Sequence, residues 1–161
     1  MKRLLFIGAM FCVPIGPAVA ATAIGSFNVT IVITSECKVQ STATVDFGSE
    51  GVIDADVDAA GSIGVQCTKS TAYNVGLSAG TGAGATVAAR KMTGPGSDTV
   101  TYSLYRDAGR SLVWGTTIGT DTVSGTGDGT SQSYPVYGRV QAQTTPGPGT
   151  YTDTITVTVT Y

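Results

Sequence analysis

Histidine is absent from the 161-residue chain. Ser–His–Asp and Cys–His nucleophilic arrangements are therefore impossible. Carboxylates are present, but no spacing selects two of them as a general acid–base pair. Charge is scarce: Lys, Arg, Asp and Glu make up 12 % of the residues, and the basic ones are scattered. A nucleic-acid surface needs clustered cations, so nucleic acid is not expected as a partner. No stretch of ten or more residues carries a 3.6-residue apolar period with helix formers, so helices are not expected. No apolar run reaches the roughly 20 residues of a membrane span.

Two motifs come close to chemistry and miss. Asp54, Asp56 and Asp58 have the D-x-D-x-D spacing that opens a calcium loop. The sixth loop position would be Ala59 instead of Gly, and the twelfth would be Val65 instead of a bidentate Glu, so no metal site is expected. "GTGAGATVAAR" (80–90) has closely spaced glycines but does not fit G-x-G-x-x-G, and it reads as a hairpin loop. No cofactor motif remains, and an enzyme is not expected. Arg106, Asp107 and Arg110 are expected to form a local ion network at a turn. Trp114 and the seven tyrosines are expected in the core and on strand faces, with sugar stacking as the alternative.

What is present is a leader and many short strands. Lys2 and Arg3 precede the apolar run Leu4 to Val13, and Ala18-Val19-Ala20 is a small-x-small cleavage signal. Residues 1–20 read as a signal peptide cut before Ala21. Cys12 lies inside the apolar run, not behind a small-residue box at its end, which argues against a lipid anchor. Taking twenty residues from 161 leaves 141, enough for one domain with a single core. Without Lys2 and Arg3, seven basic residues face eleven acidic ones, a net charge of −4. Two cysteines remain, Cys37 and Cys67. In an oxidising compartment an intrachain disulfide is the default reading, with two free thiols or a pair of metal ligands as alternatives.

Strand-like runs separated by Gly-rich breaks follow one another: 38–48, 62–68, 72–80, 89–94, 100–107, 111–115, 133–142 and 151–161. This spacing argues for an all-β sandwich. The segment 119–132 reads as a loop or hairpin connection. The strongest alternation lies at the two ends. In "SFNVTIVITSEC" (26–37), Phe27, Val29, Ile31 and Ile33 alternate with Asn28, Thr30, Val32 and Thr34. No hairpin turn follows to give this strand a neighbour. In "YTDTITVTVTY" (151–161), Ile155, Val157, Val159 and Tyr161 alternate with threonines. The two end strands would either pair with each other or leave the first free to complete a neighbouring molecule.

The blocks "YSLYRDAGR" (102–110), "VWG" (113–115), "YPVYGRV" (134–140) and "GTYTDTITVTVTY" (149–161), with "FNVTIVITSEC" (27–37) and "IGVQC" (63–67), resemble the spore coat protein U domain family. That family includes the pilins of archaic (Csu-type) chaperone–usher pili. The resemblance runs in order over the whole mature chain. It implies a six-stranded, incomplete immunoglobulin-like β-sandwich completed by donor-strand exchange. Residues 21–34 would be the N-terminal donor extension and 35–161 the pilin domain. Phe27, Val29, Ile31 and Ile33 would be the donor side chains. Ile155, Val157, Val159 and Tyr161 would belong to the last strand beside the acceptor groove, with Tyr161 anchored in the chaperone cleft. The implied partners are a periplasmic chaperone, an outer-membrane usher and further copies of this chain or related pilins. The implied location is the cell surface, reached through the periplasm, and the implied role is adhesion and biofilm formation. The alternative is a secreted, self-complemented monomer acting as a coat or carbohydrate-binding module.

Overall fold

The computed structural model describes residues 16, 17 and 19–161; the expected signal peptide, Cys12 included, falls almost wholly outside the described residues. The chain divides into two units, one ending at Val32 and one spanning Ile33–Tyr161. In the first unit the described residues carry neither strand nor helix. Alternation gives residues 26–34 two faces, but a strand also needs a ladder for its N–H and C=O groups. Among the described residues that segment has none.

The second unit is all-β, with a single 3-10 turn at Pro95–Ser97. Its strands are β1 (Cys37–Ala43), β2 (Val57–Cys67), β3 (Ala72–Leu77), β4 (Arg90–Thr93), β5 (Thr99–Tyr105), β6 (Val123–Thr126), β7 (Ser131–Val140) and β8 (Val157–Thr160). They form two sheets, β1-β2-β7-β5-β4 and β6-β3-β8. The named neighbours pair antiparallel throughout. This is the immunoglobulin-like sandwich expected from the sequence.

Eight strands stand where six were implied. The two additional ones, β4 and β6, are four-residue pieces at the outer edges of the sheets. Segment 119–132 contains β6, and β3 and β4 lie in different sheets, so 80–90 and 119–132 are crossovers between sheets and not hairpins. The expected strand 111–115 is a loop with one bridge, Val113 to Tyr105. Two side chains explain this, Asp107 and Trp114. The Asp107 carboxylate accepts from the Ser111 and Leu112 N–H groups and folds the chain into a turn. Trp114 then points inward, and its indole N–H donates to the Val75 carbonyl at 2.8 Å.

Trp114 is fully buried and sits in a core built from Ile63 and Val65 of β2, Tyr73, Val75 and Leu77 of β3, Val100, Tyr102 and Leu104 of β5, and Val136 and Val140 of β7. No sugar-stacking role is open to a tryptophan so placed. Tyr73 and Tyr134 join the two sheets through hydroxyls 2.6 Å apart, and Tyr73 also donates to Gln132 Oε1. Burial pushes the Tyr73 hydroxyl above the ordinary tyrosine range, so it remains a donor. Pro135 lies where β7 pairs with β2 alone, before its ladder with β5 begins at Tyr137. A residue without an N–H is tolerated at such a place.

Cys37 and Cys67 are disulfide-bonded. They are also direct ladder partners, so the bond fastens the first residue of β1 to the last of β2. The expected ion network is rearranged. Asp107 is occupied by its turn, and Arg106 donates to the Thr120 and Thr122 carbonyls. Arg110 pairs with Asp58 at 3.1 Å. Arg139 grips Asp58 through two bonds of 2.7 and 2.8 Å and reaches Asp56 at 3.3 Å. Two of the three aspartates that mimic a calcium loop are thus engaged by arginines.

Candidate assembly groove

The strands at the open side of the sandwich belong to different sheets. β1 is an outer strand of the five-stranded sheet, and β8 is an outer strand of the three-stranded one. β8 uses one side to pair with β3, from Leu77↔Val157 to Asn74↔Thr160. Among the described residues its other side has no ladder. Each sheet of the unit therefore ends at this side in an unpaired strand edge.

An apolar groove of about 1,020 Å³ opens there. Its floor is the core itself: Ile63, Leu77, Val100, Tyr102, Leu104, Val136 and Val140. One lip is the end of β1 and the strap that follows it, residues 42–51, with Val45 and Phe47 turned inward. The other lip is 145–155 running into Val157 of β8. The strap passes close over β2 and β7. An added methyl group at Gly61 would collide with the Ala43 carbonyl, and one at Gly138 would collide with Val45 and Phe47.

The second lip makes a corner. Thr152 exchanges two backbone hydrogen bonds with Thr93 of β4, in the five-stranded sheet. By Thr156 the chain is bonded to Ser78 beside β3, in the other sheet. At the corner, Asp153 accepts from the Thr81 N–H at 2.7 Å, the Thr81 hydroxyl at 2.9 Å and the Tyr102 hydroxyl at 2.8 Å. Burial alone would raise this acid. The hydrogen bonds from Thr81 and Tyr102 outweigh burial and hold it below the usual carboxylate value.

Below the corner lies Arg90, fully buried. Its guanidinium donates to four backbone carbonyls: Ser78 at 2.8 Å, Val87 at 2.7 Å, Leu77 at 3.1 Å and Trp114 at 2.6 Å. Burial pulls its pKa down, while Tyr102, Asp153 and Asp121 act in the opposite sense. Arg90 ties the crossover 78–90 and the Trp114 loop to β3, and so supports the groove floor at Leu77.

Of the residues singled out in the sequence, Ile155 and Val157 line the groove. Val159 packs against the core beyond the lining, and Tyr161, after the end of β8, is 59 % exposed. In the N-terminal segment, Phe27, Val29, Ile31 and Ile33 are 70–88 % exposed. Val32, on the other face by alternation, is as exposed as they are. Sequence reasoning missed the strap, Arg90 and Asp153. Asp153 had left a signal: it stands in phase with Tyr151, Ile155 and Val157, an acid in an apolar row.

The family model of the spore coat protein U domain matches residues 23–158. The chain belongs to the spore coat protein U domain family. Protein U of Myxococcus xanthus is similar, 36 % identical over 122 residues that cover 67 % of this chain and 68 % of that one. Among solved structures, the chain resembles one in the pre-assembly complex of the chaperone CsuC with the tip adhesion subunit CsuE, from the archaic chaperone–usher Csu pili of Acinetobacter baumannii. The TM-score is 0.58 at 25 % identity, over 80 % of this chain and 40 % of that one. The chain thus spans two fifths of that neighbour's length. The spore coat protein U domain match includes residues 23–34 as well as the sandwich, so the N-terminal segment is part of what the family shares.

Proposed function

We propose that the chain is a structural subunit of an archaic chaperone–usher pilus that polymerises by donor-strand complementation. The observation that carries this reading is the open apolar groove between the strap 42–51 and the segment 145–157, at the side where both sheets end in an outer strand. A concave apolar groove of this size is where a binding partner is expected to lie. The likeness to a subunit held by its chaperone before assembly supports the same reading.

In this proposal the groove is filled first by a periplasmic chaperone and then, at the outer-membrane usher, by residues 21–34 of the next copy or of a related pilin. Donor-strand complementation is β-augmentation: ladder bonds give affinity and alternate side chains give specificity. Phe27, Val29, Ile31 and Ile33 are the donor side chains, and Ile155, Val157, Val159 and Tyr161 belong to the strand beside the groove. Burying four exposed apolar side chains at about 1.5–3 kcal/mol each yields roughly 6–12 kcal/mol, less the cost of association. Each subunit gives one surface and receives another, so the assembly is an open filament. It would serve adhesion and biofilm formation at the cell surface.

Ile31→Asp and Val32→Asp test the proposal. A carboxylate on the donor face costs several kcal/mol when buried, whereas Val32 faces outward by the pleat. Ile31→Asp should bind chaperone and form its disulfide but yield no filaments by electron microscopy, while Val32→Asp assembles. Filaments from both variants would refute donor-strand use. A stable soluble monomer purified without chaperone would point to the self-complemented module instead.

A further inference from the structure

Tyr102 and Asp153 join the two sheets by side chains at the groove's end, beside the backbone bridge of Thr152 to Thr93. Tyr102 comes from β5 in the five-stranded sheet, and Asp153 from the corner that leads into β8 of the other. The Tyr102 hydroxyl donates to Asp153 Oδ2 at 2.8 Å. On one side, the Tyr102 ring meets Phe47 of the strap edge-on, with centroids 6.1 Å apart. On the other, Asp153 is held by Thr81, next to Gly80. Gly80 has φ +88° and lies so close that a Cβ there would collide with the carboxylate. A continuous line thus crosses the groove from strap to Phe47, Tyr102, Asp153 and the Gly80–Thr81 turn, and Phe47, Tyr102 and Asp153 all line it.

We propose that Tyr102 and Asp153 form a cross-brace that sets the spacing of the groove's two lips, and thereby its affinity for an incoming strand. The inference rests on the donor-strand reading and adds positioning residues to it. A strand seated between two outer strands must lie about 4.8 Å from each, so the lips must stand nearly two strand spacings apart. Ladder bonds weaken steeply once donor and acceptor leave about 3.2 Å. A rigid aromatic ring ending in a hydroxyl, bonded to a carboxylate that three other donors hold, is suited to keep that spacing while the groove is empty. Preorganisation of this kind raises affinity without adding a contact to the ligand.

The test uses the full chain carrying Ile31→Asp, so that its own segment does not compete, and a fluorescent peptide of residues 24–35 read by anisotropy. Tyr102→Phe should weaken peptide binding roughly tenfold, the worth of one hydrogen bond to a charged acceptor. Asp153→Asn keeps an acceptor and should fall between. Tyr134→Phe is the control, because it deletes a tyrosine hydroxyl bonded at 2.6 Å outside the groove lining; binding should stay within about twofold, since nothing at the lips changes. No peptide binding to the Ile31→Asp background, with its fold verified by circular dichroism, overturns the donor-strand reading itself. Binding that Tyr102→Phe weakens no more than Tyr134→Phe does overturns the brace alone. If the empty background does not hold its fold, filaments of the full chain bearing only Tyr102→Phe or Tyr134→Phe are dissociated in urea. The brace requires Tyr102→Phe filaments to release subunits at lower urea, and equal midpoints overturn it.

Discussion

Replacing Arg90 by Lys keeps the charge and removes the geometry. The guanidinium presents five N–H donors in a fixed plane, whereas an ammonium offers three on a shorter reach. Four carbonyls depend on Arg90, at 2.6 to 3.1 Å and from three separate segments. A lysine in the same space leaves one or two of them without a donor. Each buried carbonyl so stranded costs about 1–3 kcal/mol. Arg90→Lys should therefore destabilise the unit by roughly 2–4 kcal/mol, a large part of the 5–15 kcal/mol typical of a domain. Arg90→Ala, which strands all four, should leave no folded protein to recover. The measurement is urea unfolding with the disulfide intact, followed by far-ultraviolet circular dichroism and by Trp114 fluorescence. Trp114 reports directly because its carbonyl is one of the four. The lower midpoint should come with an unchanged denaturant slope. An Arg90→Lys protein within about 0.5 kcal/mol of the parent, the ordinary range of a surface change, would refute the clamp.

Removing the disulfide by Cys37→Ser releases a loop of sequence separation 30 and should cost roughly 3.5 kcal/mol in the chain-entropy account, seen as a lower urea midpoint and a lower periplasmic yield. The hydrogen bond from Arg139, with the charges of Arg110 and Arg139, holds Asp58 below the ordinary carboxylate range against the opposing effect of burial. An acid depressed in the folded state contributes stability that is present above its unfolded pKa of about 4 and lost as pH falls through its folded value. The difference in unfolding midpoint between the parent and Asp58→Asn should therefore be constant from about pH 7 to 5 and shrink below about pH 4; a difference that grows on acidification would contradict the ion pairs.

Alternation made the paired strands legible. β2, β3, β5, β7 and β8 all fall within or beside runs whose period of two is visible in the sequence. The cysteine pair was legible because two cysteines in a chain read as exported leave few choices. Period alone, however, gives faces and not neighbours. Residues 26–34 and 111–115 both look like strands; one has no ladder among the described residues, and the other is bent into a loop by Asp107 and Trp114. β8 begins at Val157, not at 151, because the first half of that run turns the corner between sheets. The strap, Arg90 and Asp153 act largely through partners distant in the sequence, such as Ser78 for Arg90 and Gly138 for Phe47. No local pattern encodes such partnerships, although a charged residue in an apolar row is a sign that one exists.

The pairing of Cys37 with Cys67 also decides how the unit bears tension. A pull on the residues before Cys37 does not peel β1 from β2 one ladder bond at a time. The covalent bond hands the load straight to the end of β2, a strand flanked on both sides by β1 and β7. β1 and the strap carry no force along their length. The chain between the two cysteines, roughly 100 Å if drawn out, is withheld from extension for as long as the bond is intact. The molecule is thus shielded at the place where its exposed N-terminal segment meets the sandwich, and a reducing agent would make it both longer and softer under load.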